Sequence, residues 1–226
     1  SIVSDRHDEK IEAQVVGFRD NFVLLMALDS VHLIHPGCKV SSQRNNNFVP
    51  SGPALLGRII DGMGRPIDGK GPVLAPRREG FYAEPPNPLS RSMISEPFST
   101  GIKSIDTFIP MGVGQRIGIF SGSGVGKSIL LGMIARGSDS DINVISLVGE
   151  RGRELREFVE KDLGPEGMKK TVIVVSTSDQ PAPMRIRASI LATAIAEGFR
   201  NEGSKVLLLM DSLTRFAMAQ REIGLA

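Results

Sequence analysis

The sequence predicts an α/β fold: a mostly parallel sheet covered by helices on both faces, preceded by a partial small β-barrel domain. Three observations carry this. After Phe98, short apolar runs alternate with stretches of helical periodicity, the pattern of repeated strand–helix–strand units. The run Val206-Leu207-Leu208-Leu209-Met210 is apolar without interruption, as expected of a strand covered on both sides. Before residue 50 the pattern shortens to β-like pieces separated by turn residues.

In chain order, residues 11–18, 22–28 and 38–40 read as antiparallel strands, punctuated by Asp20-Asn21 and Pro36-Gly37. Closing a barrel takes more strands than these, so the first domain, residues 1–52, is expected to be incomplete. Asn45-Asn46-Asn47 reads as a loop. Seven of the fourteen prolines fall between Asp61 and Pro97, together with several glycines. Residues 53–98 are therefore expected to be an extended connecting segment rather than a helix or a central strand. In the third part, residues 99–226, strands are expected at 116–120, 143–148, 171–175 and 205–210, with 206–210 central in the sheet. Helices are expected at 128–136, 154–163, 185–200 and 213–222.

At 226 residues with 41% hydrophobic content the chain can fill a sizeable core. Its apolar runs fall well short of the roughly eighteen residues a membrane span needs. Ser1 to Lys10 lacks the apolar stretch of a secretory signal, and the first residue is not methionine, so the start reads as a cut. A single cysteine, Cys38, excludes an intramolecular disulfide and suits a reducing cytoplasm. Net charge is +2 with basic and acidic residues interspersed, which gives no sign of attraction to nucleic acid or membrane.

Ser121-Gly122-Ser123-Gly124-Val125-Gly126-Lys127-Ser128 lies between an expected strand and an expected helix. In that context glycines let backbone N–H groups from Gly122 to Ile129 curl around phosphates. The helix N-terminus adds its positive dipole, Lys127 reaches the β and γ phosphates, and Ser128 is a magnesium ligand. The bland alternative is an ordinary strand-to-helix turn. A bare Gly-Lys-Ser/Thr tripeptide arises by chance in roughly one chain in ten of this length, so the glycine spacing and flanking elements carry the assignment to ATP with Mg2+.

Asp211 follows the apolar strand directly. A carboxylate there faces the crevice where open α/β sheets bind ligands and can hold magnesium; alternatively Asp211 or Ser212 is only the N-cap of the next helix. Gly149-Glu150-Arg151 ends the strand at 143–148, which puts Glu150 at the same sheet edge as the phosphate loop, where it can orient the attacking water. Its plain alternative is a first-turn acid on the following helix. Arg151 is a candidate contact to the γ phosphate and Glu154 a candidate in the magnesium shell; both also fit a solvated helix face. His32, His35 and Cys38 are three apart, but Pro36-Gly37 argues against a helix and no fourth ligand is near, so a metal site is not expected. Met26, Met133, Met184 and Met210 lie in apolar runs and read as core filler.

With these residues in place the chain resembles the protein-export ATPases of bacterial flagella and type III secretion, relatives of the catalytic subunit of rotary ATP synthases. The matching parts are Leu56-Gly57-Arg58-Ile59-Ile60-Asp61-Gly62-Met63-Gly64-Arg65-Pro66-Ile67-Asp68-Gly69, Gly122 to Ser128, Gly149-Glu150-Arg151-Gly152-Arg153-Glu154, and Met210-Asp211-Ser212-Leu213-Thr214-Arg215-Phe216-Ala217. The stretch Ser176-Thr177-Ser178-Asp179-Gln180, running on to Arg200, looks more like the flagellar than the virulence branch, and a small residue at Ser121 is usual among export ATPases. The resemblance implies a RecA-like P-loop NTPase core that hydrolyses ATP with Mg2+. It also implies a homo-hexameric ring, export-gate and stalk or regulator proteins as partners, exported proteins as substrates, and a cytoplasmic place peripheral to the inner membrane. It further implies later sheet strands, an adenine-stacking aromatic, an intersubunit arginine finger and a helical domain that this sequence lacks, so the chain reads as a fragment or an incomplete gene product, weakly active or inactive by itself. Two rivals stand beside it. A Rho-like hexameric RNA helicase shares the P-loop and an Asp-Ser-x-Thr-Arg element, but the first domain offers only Phe18, Phe22 and Phe48 as aromatics. A catalytically idle nucleotide-binding subunit can dispense with Glu150, which is present. A GTPase is disfavoured by the absence of Asn-Lys-x-Asp.

Overall fold

The computed structural model describes residues 2–3, 10–29, 34–42, 48–75, 77–122 and 124–225. Ser123 of the glycine-rich loop, His32 and the asparagines at 45–47 lie outside them. In the first part, β1 (Ile2–Val3) pairs antiparallel with β2 (Lys10–Ile11) and with β5 (Lys39–Val40). Between them β3 (Ala13–Arg19) and β4 (Phe22–Ala27) form a hairpin whose register shifts at Val15/Gly17. Its tight turn sets Asp20 at φ 50°, a conformation aspartate tolerates better than most residues. These are separate small antiparallel sheets, and no closed barrel forms among the described residues.

Next in the chain come β6 (Phe48–Ser51), β7 (Ile59–Asp61) and β8 (Arg77–Gly80), with β6 and β8 antiparallel. The motif at 56–69 folds into a compact turn. Asp61 Oδ1 accepts from the N–H of Met63 (2.9 Å) and of Arg65 (2.8 Å). Asp68 takes two N–H bonds from the Arg58 guanidinium, 2.7 and 3.0 Å, and another from Ile59 N. Gly62 is required because a Cβ there would meet Met184 Sδ at 2.8 Å and Met184 O at 2.9 Å.

Beyond it come β9 (Pro97–Phe98), α1 (Lys103–Phe108), β10 (Met111–Gly112), α2 (Lys127–Gly137), β11 (Ile142–Val148) and α3 (Gly152–Glu157). A π-helical turn at Phe158–Leu163 leads into α4 (Gly164–Lys169), then β12 (Thr171–Ser176), α5 (Ala182–Asn201), β13 (Val206–Asp211) and α6 (Leu213–Gly224). The sheet order is β13-β11-β12-β7, every pair parallel. The expected single helix over 154–163 is thus broken into α3 and the π-helical turn.

Strand alternation distributes apolar residues to both faces. Val144, Val148, Val172 and Val174 face α5, packing with Leu191, Ile195 and Phe199. Ile145, Leu147, Ile173 and Val175 face the other way, against Leu131 and Ala135 of α2 and Phe158 and Leu163. Each large side chain so buried stabilises the fold by about 1.5 to 3 kcal/mol. A buried polar link fixes the end of α2: Asn143 Nδ2 donates to Ala135 O at 2.7 Å, and Ser140 Oγ donates to Asn143 Oδ1 at 2.7 Å. One orphan helix carbonyl is satisfied and α2 is tied to β11. No helix among the described residues is long and apolar enough to cross a membrane.

Two expectations fail. Residues 116–120 join no ladder, and Ile117, Ile119 and Phe120 are exposed. β13 is an edge strand, bonded to β11 alone. Both corrections share a cause: among the described residues nothing pairs with the outer edge of β13 or with 116–120, and an apolar run forms a strand only where a neighbour supplies hydrogen-bond partners.

Candidate functional site

The loop 121–126 leads into α2 at the C-terminal edge of the sheet. Gly124 (φ +76°) and Gly126 (φ +93°) adopt the left-handed conformation that glycine alone enters without strain, and Gly126 is the N-cap of α2. A Cβ at Gly122, Gly124 or Gly126 would meet nothing within 4 Å, so the loop surface is open to a ligand. Its glycines serve backbone conformation rather than internal packing. Val125, Ser128 and Ile129 lie on this exposed rim. Lys127 begins α2 and turns its ammonium onto Asp211 Oδ1, forming an ion pair across the site. Asp211 is 5% exposed.

Ser212, not Asp211, caps α6: its Oγ accepts from Arg215 N at 3.4 Å. The capping explanation of Asp211 therefore falls away, and its buried carboxylate is directed at the Lys127 ammonium. Glu150 likewise precedes α3 instead of lying in its first turn, which starts after the N-cap Arg151; the first-turn acid is Glu154. Gly149, at φ +73°, bends the chain out of β11, and its N–H donates to Ser176 O at 2.7 Å, while Ser178 N donates to Glu150 O at 3.1 Å. The Glu150 turn is braced against β12 and its loop.

Glu150 faces two other carboxyls. Burial first, then a hydrogen bond with Glu154 and the charge of Asp211, push its carboxyl up to about 7, while the Arg215 guanidinium pulls the other way from 3.6 Å. Glu154 is held below its ordinary value chiefly by that hydrogen bond from Glu150. Arg151 is largely exposed, its Nη1 4.0 Å from Glu154 Oε1. The structure thus brings Lys127, Asp211, Glu150 and Glu154 to one sheet edge, with Ser128 and Arg151 on its solvent side.

The oxygen donors Ser128, Asp211 and Glu154 match the preference of a hard cation that keeps several waters, and no group of three His, Cys, Asp or Glu residues suited to a metal occurs among the described residues. Near residue 35, His35 Nδ1 lies 2.9 Å from Pro36 O, and its N–H donates to Cys38 Sγ at 3.4 Å. These are contacts within the turn at 35–38. The feature that sequence reading missed is Arg215 beside Glu150. The signal available was its position four residues past Asp211, in the first turn of the helix that follows.

Comparison with known proteins identifies the family. Residues 101–226 match the family described as ATP synthase alpha/beta family, nucleotide-binding domain. The chain is 53% identical over 219 residues to the flagellum-specific ATP synthase of Bacillus subtilis, covering 96% of this chain and 49% of that protein. It is 48% identical over 214 residues to the type 3 secretion system ATPase of Xanthomonas euvesicatoria, covering 95% and 48%. Among solved structures, the assembled ATPase EscN of the enteropathogenic E. coli type III secretion system superposes with a TM-score of 0.89 at 45% identity, over 99% of this chain and 54% of that one. The chain spans about half the length of the curated relatives it matches. It belongs to the ATP synthase alpha/beta family, in the company of the flagellar and type III secretion ATPases.

Proposed function

We propose that this chain is the phosphate-binding and catalytic core of a magnesium-dependent ATP hydrolase that energises flagellar or type III protein export. The observation that supports it best is the meeting, at one sheet edge, of the Lys127 ammonium, the buried Asp211 carboxylate and the Glu150 carboxyl. A plain strand-to-helix turn gives no reason for that meeting. Backbone N–H groups of Gly122, Ser123, Gly124, Val125, Gly126, Lys127, Ser128 and Ile129 cradle the phosphates at the α2 N-terminus. Lys127 exchanges Asp211 for β- and γ-phosphate oxygens. Bound magnesium neutralises charge on those phosphates; the Ser128 hydroxyl, Asp211 and, through water, Glu154 would hold it. Glu150 accepts a hydrogen bond from the attacking water and its proton, a task suited to a carboxyl poised near neutrality. Arg151, free to swing from the rim, reaches the γ phosphate.

The solved structures of assembled EscN, and of EscN with its central stalk EscO, support a homo-hexameric ring in the full protein. The complex with EscO also supports a stalk partner; export-gate and regulator proteins as further partners, and exported proteins as substrates, follow from the sequence resemblance. In this reading residues 1–52 are part of a β-barrel domain, 53–98 a connector and 99–226 the nucleotide-binding core, and the protein works in the cytoplasm against the inner membrane. The flagellar branch is favoured by the stretch at 176–180. The test is ATP turnover by the full-length protein with and without single-stranded RNA. Magnesium-dependent turnover unaffected by RNA is expected. Stimulation by RNA would move the assignment to a ring helicase, and nucleotide binding without turnover to an idle subunit.

A further inference from the structure

We propose that Arg185 is a positioning residue for Glu150: it ties the loop at 177–180, which holds the Glu150 turn from outside the sheet, to α5 and α6. This rests on the reading of Glu150 as the water-orienting group. The turn that presents Glu150 hangs on two backbone bonds to the chain leaving β12. Gly149 N donates to Ser176 O at 2.7 Å, and Ser178 N donates to Glu150 O at 3.1 Å. The first bond belongs to the sheet, since Ser176 is the last residue of β12 and pairs with Val148. The second is made by a loop that joins no strand, so what fixes that loop decides how firmly Glu150 is aimed.

Gln180 N donates to Thr177 O at 3.1 Å, and a hydrogen bond with the Thr177 side chain holds the Asp179 carboxyl below its ordinary value. These two bonds shape the turn without tying it to a neighbouring helix. Arg185, in the first turn of α5, supplies the tie: its Nε donates to Gln180 O at 3.2 Å, and its Nη2 donates to Glu222 Oε2 near the end of α6. The Arg185 side chain is 14% exposed against 52% for Glu222. A guanidinium so far withdrawn from water has to be hydrogen-bonded, whereas a half-exposed ion pair contributes little by itself. The part of Glu222 is to keep the guanidinium turned so that Nε reaches the loop. The helix carrying Glu222 is itself seated on α5, with Phe216, Ala219 and Ile223 packed against Ala182, Ile186 and Ile190, and its cap, Ser212, directly follows Asp211. One arginine thus joins the helix that begins beside Asp211 to the loop that holds Glu150. With the tie gone, the Glu150 turn keeps its sheet bond and loses the fixity of the other. The phosphate cradle lies on a different loop and is left as it was, while a misplacement of about 1 Å at a reacting group costs up to about 100-fold in rate.

The test uses the full-length protein and reads turnover, binding and the loop separately. Arg185→Ala should lower single-turnover hydrolysis at saturating Mg·ATP about 10- to 100-fold while Mg·ATP affinity, by calorimetry, stays within about 3-fold. Amide hydrogen exchange at Ser178 should quicken at least about 10-fold. Two further variants separate a donor to the loop from a salt link between helices. Glu222→Gln leaves the Nε bond to Gln180 in place and should cost less than about 3-fold in rate. Arg185→Lys keeps a cation facing Glu222 but has no second nitrogen for the loop, so its rate should fall close to that of Arg185→Ala; it carries the test if alanine unfolds the chain. The reverse ranking, with Glu222→Gln as damaging as Arg185→Ala and Arg185→Lys near the unaltered rate, would mean that the arginine only links α5 to α6, and overturns the proposal. So would an unchanged rate, an affinity loss as large as the rate loss, or unchanged exchange at Ser178. Quickened exchange at Ser178 beside a Glu150→Gln protein that hydrolyses ATP at the unaltered rate would instead strike the reading of Glu150.

Discussion

Replacing Glu150 with glutamine should make the nucleotide-free chain more stable at pH 8 and change it much less at pH 5. The carboxyl titrates at about 7 in the fold against an ordinary 4.5, so between these values the folded state binds more protons than the unfolded state. Stability therefore falls as pH rises from 4.5 to 7, and the full penalty is present above 7. Unscreened, the gap between the two values corresponds to about 3 kcal/mol. The side chain is 20% exposed and shares its proton with Glu154, so solvent screening reduces the figure to about 1 to 1.5 kcal/mol. Glutamine keeps the shape and carries no charge at either pH. Urea unfolding followed by far-UV circular dichroism, at matched ionic strength without Mg2+, is the assay. With a slope of about 2 kcal/mol per molar the midpoint should rise by roughly 0.5 to 0.75 M at pH 8, and by about a quarter of that at pH 5. An equal gain at both pH values, or a loss at pH 8, would refute the picture of Glu150 facing two like charges at a cost in stability.

Lys127→Ala should weaken ATP binding about 10- to 150-fold by calorimetry, the worth of one charge-assisted contact; unchanged affinity would discard the phosphate-loop assignment. Gly62→Ala should cost about 1 to 3 kcal/mol in urea unfolding, because its Cβ must displace Met184, and a neutral result would mean that the turn at 56–69 can move off α5. Asn143→Ala should cost about 1 to 3 kcal/mol by the same measurement, since Ala135 O and Ser140 Oγ lose a buried partner; an unchanged midpoint would show that water replaces the side chain.

Elements set by local pattern were legible. The helices at α2, α5 and α6 and the strands β11, β12 and β13 fall close to where periodicity puts them, and the same pattern places Asp211 and Glu150 at or just past the C-terminal ends of parallel strands. What periodicity reports is which faces are covered. It does not report which edges are paired, so the unbroken apolar run at 206–210 was read as central when its partners lie on one side only. The same blindness made 116–120 a strand, because ladder partners are non-local. Arg215 was visible as a letter in a motif, but its place beside Glu150 depends on two segments meeting after the sheet forms, and no spacing along the chain encodes that contact.

The unpaired edge of β13 has a consequence for handling the chain. Among the described residues nothing pairs with this edge, and Val206 to Met210 carries no charged side chain or proline, the usual guards against strand addition. The exposed apolar residues at 117, 119 and 120 lie in a segment that also joins no ladder. An edge left unpaired in this way is a template for strand addition between copies, a head-to-tail contact that does not close on itself. Dilution favours the single copy, and a lysine at Leu208 would be the economical way to keep it there.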